Sequence, residues 1–115
     1  MYSIDTTPKE SKFIAAYFDA INFTETLGSK WGAELDEDFT RESIIDCLAF
    51  YSSIACYITD EQIEQSGHNF WMTRNGHGVG FWDRPEIYGA YFSDKFTEHA
   101  EAFGEVVVVF KEETS

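Results

Sequence analysis

The stretch "HNFWMTRNGHGVGFWDR", residues 68–84, gathers the residue types that do chemistry: His68, Arg74, Asn75, His77, Asp83 and Arg84, set among Trp71, Trp82 and closely spaced glycines. Imidazoles and guanidinium groups beside glycine-rich backbone suggest general acid–base work or an anion cradle. What they can do depends on which element carries them. Asn75-Gly76 is a strong hairpin signal, because both central residues of a type I′ turn need positive φ. A hairpin turning there sets Arg74 against His77, Met72 against Val79, Trp71 against Gly80, Phe70 against Phe81 and His68 against Asp83. Cross-strand partners share a face. Phe70, Phe81, Met72 and Val79 then form an apolar face, and Gly80 leaves room for the Trp71 indole.

That register limits the chemistry. His68 and His77 fall roughly 20 Å apart along the ladder, too far to share a metal. His68 beside Asp83 has the form of an oriented imidazole, but no activated Ser or Cys signature accompanies it. Closing the open end of the hairpin is the expected role of the pair. "GHGVG" lacks both the dinucleotide-binding and the P-loop spacing and opens no helix. No catalytic set, metal site or cofactor is expected. What remains is a basic tip of Arg74, Asn75 and His77, suited to a small anion or nucleotide.

The elements around this stretch read as follows. Thr7-Pro8-Lys9-Glu10 has cap, first-turn proline and reciprocal glutamate in order, and predicts a helix carrying Phe13, Ile14, Tyr17, Phe18 and Ile21 to near Asn22. Residues 23–39 show no sustained period and read as a connector, pinned to the core by Trp31 and Leu35. Thr40 is the expected cap of a second helix whose apolar stripe is Ile44, Leu48, Tyr51, Ala55 and Ile58. Thr59-Asp60-Glu61 starts a short turn that Gly67 should end. Ser93 should cap a last helix with Phe92, Phe96, Ala100 and Phe103 on its apolar face, stopping at Gly104. "EVVVVF" then reads as a strand. Val106 to Val109 are apolar in both alternating sets, which implies a sheet covered on both sides, by helices on one and by the connector or a second copy of the protein on the other. The expected fold is α+β: one acidic domain over residues 1–115, a small antiparallel sheet of hairpin plus C-terminal strand, and three to four helices.

Twenty aromatic residues (11 Phe, 6 Tyr, 3 Trp) in 115 supply a core without metal or disulfide. Cys47 and Cys56 are nine positions apart. On one helix they lie about 13 Å apart, beyond the roughly 7 Å reach of a disulfide, so both are expected as reduced thiols. No secretory signal or apolar run of spanning length occurs, which points to the cytoplasm. Charge is the dominant global feature: 21 acidic against 8 basic residues, net −13. Such a surface repels nucleic acid and anionic lipid and favours a basic partner. Glu34, Asp36, Glu37, Asp38, Glu42 and Asp46 concentrate the acid, and Trp71 and Trp82 are the candidate anchors.

"GHNFWMTRNGHGVGFWDR" followed by "FSDKFTEHAEAFGE", with the upstream "FIAAYFDAINF" and "LDEDFTRESIIDCLAFY", resembles a family of small bacteriophage-encoded proteins over nearly the whole chain. The chain departs from it at Asn69, where that family usually carries Asp, and at "KEETS", where many members continue into a Gly-Asp-rich turn. The resemblance implies a phage origin and action in the cytoplasm of an infected host cell. It supplies no mechanism. The leading expectation is an accessory protein that binds a host protein with a basic surface, such as an enzyme that handles nucleic acid. An anionic-ligand binder and a virion-associated protein are the alternatives.

Overall fold

The computed structural model describes residues 5–25, 35–76 and 80–109, and among these the chain is helical. Helix α1 spans Pro8–Glu25, α2 Glu37–Ile54, α3 Ile63–Arg74, α4 Pro85–Tyr88 and α5 Ala90–Glu101; 3₁₀ turns at 55–57, 60–62 and 81–83 join them. No β-sheet exists among the described residues, which overturns the α+β expectation.

The start of α1 is as the sequence predicts. The Thr7 hydroxyl accepts from the Glu10 N–H at 3.1 Å, and the Glu10 carboxylate accepts from the Thr7 N–H at 2.8 Å. In α2 the cap is Asp36, not Thr40: Asp36 Oδ2 accepts from the Phe39 N–H at 3.0 Å, while the Thr40 hydroxyl donates back to the Asp36 carbonyl at 2.8 Å. The buried face is Phe39, Ser43, Cys47, Phe50, Tyr51 and Ile54. It lies one position round from the predicted stripe, so Ile44 and Leu48 sit at its margin.

The largest correction falls on the expected hairpin. Thr59 and Gln62 form a capping box, the chain passes through one 3₁₀ turn, and α3 continues through Gly67 to Arg74. Gly67 lies inside this helix because α1 crosses it there. A Cβ at 67 would stand 2.2 Å from the Phe13 carbonyl oxygen and 3.0 Å from the Ala16 Cβ. Asn75-Gly76 is a helix stop. Gly76 takes φ 69° just beyond the last turn, and the Asn75 side chain donates to the Trp71 carbonyl at 3.0 Å. A residue with φ > 0 serves a helix C-terminus as well as a hairpin turn, and burial of the preceding segment decided between them.

Helix α3 is the centre of the molecule, with nine of its twelve residues buried. The aromatic core surrounds it. Phe70 stacks on Phe50 with centroids 4.2 Å apart, and Phe13, Tyr17 and Phe103 pack on the same ring. Phe81, from the 81–83 turn, meets Phe50, Tyr88 and Phe96 at 5.3–5.6 Å. Its N–H donates to the Thr73 hydroxyl at 3.0 Å. Gly80 does make room for an indole, but for Trp82, whose ring would lie 2.6 Å from a Cβ there.

Helix α5 begins at Ala90, with Gly89 and not Ser93 in the cap position, and Ser93 is buried within the first turn. Beyond Gly104 (φ 80°) the valines run extended with no strand partner along their described length. Val106 and Val108 pack on the core, while Val107 is 83% exposed. The contacts that hold this segment are the Asp36 N–H to the Val109 carbonyl at 2.9 Å and the Val106 N–H to Asn75 Oδ1 at 2.9 Å.

Candidate functional site

The predicted basic tip is taken apart by the helix. Arg74, at the end of α3, points inward and is 5% exposed. Its Nε donates to the Gly104 carbonyl at 2.8 Å and its Nη2 to the Phe103 carbonyl at 3.1 Å. Nη1 reaches the Tyr17 hydroxyl at 3.1 Å and Asp46 Oδ2 at 3.0 Å. The Phe70 ring lies 5.3 Å from the guanidinium carbon. Arg74 therefore ties α1, α2 and the end of α5 to α3, and its donors are committed to the protein. Burial pushes the Tyr17 hydroxyl well above its usual range, against the pull of Arg74, and raises the Cys47 thiol likewise. Asn75 is engaged on both sides of its amide, and His77 lies outside the described residues.

The other sequence candidates separate in space. Trp71 is 1% exposed and belongs to the core, so it offers no surface anchor; Trp82 is 37% exposed. Glu37, Asp38 and Glu42 are exposed on α2, Asp36 is the cap, Asp46 is bound to Arg74, and Glu34 lies outside the described residues. Acids in the first turn also stabilise α2 through its dipole, which gives Asp36, Glu37 and Asp38 a local structural reason. Both cysteines are free, Cys47 buried and Cys56 exposed. His68 does not meet Asp83. It stands on α3 beside Asp19 of α1 and Arg84, and burial together with Arg84 lowers its pKa while Asp19 opposes the shift.

The described residues form open grooves elsewhere instead. One, of about 440 Å³, lies between the end of α2 and α5 and is walled by Tyr57, Tyr91, Phe92, Lys95 and His99. Tyr57 and Tyr91 are 56% and 65% exposed. Phe92 joins their rings at 5.0 and 5.2 Å, and the Lys95 ammonium lies 5.6 Å from the Tyr91 ring centre. Asp94, Glu98 and Glu101 are exposed along the same helix. Another groove, of about 470 Å³, lies between α1 and α3 and holds Asp19, Phe23, Glu64, Gln65, His68 and Arg84. Among the described residues, no three His, Cys, Asp or Glu side chains converge as metal ligands, and no helix is long and apolar enough to cross a membrane.

The sequence reading missed the aromatic groove. Tyr57 and Tyr91 belong to no apolar stripe of their helices, which is the signal that could have marked them as outward-facing. No protein-family model, curated protein or solved structure matches the chain.

Proposed function

We propose that this is a non-enzymatic phage accessory protein that binds a basic host protein in the cytoplasm and alters its activity. The observation that carries the reading is the exposed aromatic groove of Tyr57, Tyr91 and Phe92, which shares α5 with Asp94, Glu98 and Glu101 on a chain of net charge −13. Exposed, rigid aromatics surrounded by one sign of charge are the pattern of a binding anchor with a polar rim. The acids steer a basic partner in and set the orientation, and the rings supply the buried area. An arginine of the partner can take the place of Lys95 over the Tyr91 ring. The phage setting rests on the sequence resemblance.

A second acidic surface, Glu37, Asp38 and Glu42, lies toward the opposite end of α2, about 18–26 Å along the helix axis from Ile54. A partner of ordinary footprint can span both. The test is capture of host proteins by the tagged protein, by a Tyr57→Ala/Tyr91→Ala variant and by an Asp94→Lys/Glu98→Lys variant, at low and high salt. The reading expects one stoichiometric partner, lost with the tyrosines and weakened by charge reversal and by salt. Equal recovery by all three proteins contradicts it.

A further inference from the structure

The groove between α1 and α3 is walled by two facing rows of side chains. Ala16, Asp19 and Phe23 come from successive turns of α1; Glu64, Gln65, His68 and Met72 come from α3; Arg84 stands with them. From Glu64 to Met72 the α3 row runs about 12 Å. Its charges are two carboxylates, Asp19 and Glu64, and one guanidinium, Arg84. No hydrogen bond or ion pair joins these to one another or to His68, although Asp19 and Arg84 are both close enough to act on the imidazole. The nearest partner of Arg84 is Glu86 on the rim, at a loose 4.0 Å.

Polar groups that line a groove without satisfying each other are groups a ligand can satisfy. Gln65 is already oriented: its Nε2 donates to Asn69 Oδ1 at 2.9 Å, so Oε1 is left as the acceptor. Asn69 is itself fixed, because its Nδ2 donates to the Tyr88 hydroxyl at 3.1 Å and that oxygen lies 3.1 Å from Ser66 Oγ. Phe23, 65% exposed, provides an aromatic face, and Met72 is a buried apolar contact.

We propose that this groove binds a basic α-amino acid, lysine or arginine, as a free ligand. The charge count matches. The α-carboxylate pairs with Arg84, and the two cationic groups pair with Asp19 and Glu64, with Phe23 against the side-chain cation. An inorganic anion meets two carboxylates here, and a diamine brings nothing for Arg84, whose Glu86 partner on the rim is a loose 4.0 Å away. The site is separate from the aromatic groove, so the two readings stand or fall independently.

The experiment is a titration of the full chain with L-arginine, L-lysine, agmatine and L-norleucine, following the His68 imidazole resonances by NMR. Arginine and lysine should shift them saturably. Agmatine, which lacks the carboxylate, and norleucine, which lacks the side-chain cation, should each bind about tenfold more weakly, since each forfeits one charge-assisted contact. Arg84→Gln should abolish the preference for arginine over agmatine. Asp19→Asn should weaken both. These side chains are at the surface, and unchanged far-UV circular dichroism confirms that the variants fold. Absence of a saturable shift with either amino acid overturns the proposal, as does binding that neither substitution changes.

Discussion

At the scale of the residue, Arg74 shows how one side chain changes meaning with its element. In the sequence it sits between Thr73 and Asn75-Gly76 and reads as a solvated tip. In the fold it is the buried tie between four segments. A charged residue beside a turn signal is exposed in a hairpin but can point inward from the last turn of a helix. No local feature of the sequence distinguishes these. Truncation to Ala strips Asp46 of its partner and leaves the Phe103 and Gly104 carbonyls and the Tyr17 hydroxyl without their donor. Arg74→Ala should cost about 3–5 kcal/mol in urea unfolding. Arg74→Lys should recover only part of that, because an ammonium cannot reproduce the planar fork. His68 gives a second prediction. Its folded pKa lies below the ordinary 6.5, so the unfolded chain binds the extra proton first. The stability tied to this residue is full above pH 6.5 and is lost as pH falls through the folded value. His68→Gln should therefore flatten the fall in unfolding free energy between pH 7.5 and 5.

At the scale of the element, the helices with a broad solvent face were legible and the mostly buried one was not. Helix α1 announces itself through Thr7-Pro8-Lys9-Glu10 and the Phe13–Ile21 stripe, and α5 through Phe92, Phe96 and Ala100. Helix α3 has only a narrow polar face, Glu64, Gln65 and His68 near its start, to create contrast, and its His, Asn, Phe, Trp and Thr residues are weak helix formers. Its signals were the Thr59–Gln62 box and the spacing of Ile63, Gly67, Phe70 and Arg74. The Asn75-Gly76 pair and the alternation of Phe70 with Met72 outweighed them. Gly67 carries the prediction for this scale. Gly67→Ala gains up to about 1 kcal/mol of helix propensity, yet it forces a Cβ to 2.2 Å from the Phe13 carbonyl, so α1 must move. A net loss of about 1–3 kcal/mol is expected by thermal or urea unfolding. An increase in stability would mean that the two helices are not in this contact.

At the scale of the whole molecule, composition was informative where local pattern was not. The aromatic supply foretold a core closed by rings, and Phe50, Phe70, Phe81 and Phe96 form it. The valine run reads in the sequence as a strand of a covered sheet, but among the described residues it belongs to no sheet, because the segment it was to pair with is helix α3. Much of the acid behind the net charge of −13 sits on helix surfaces among the described residues, and the structure adds the exposed aromatic centre that a charge count cannot show. The central claim is that this centre is where a host protein docks. The most direct measurement places a photoreactive benzophenone side chain at position 91, at position 57, or at the exposed position 86 outside the groove, in host cells making the protein. Irradiation should yield the same crosslinked host protein from 91 and 57 and none from 86. No crosslink from the groove positions, or equal crosslinking from all three, would contradict the claim.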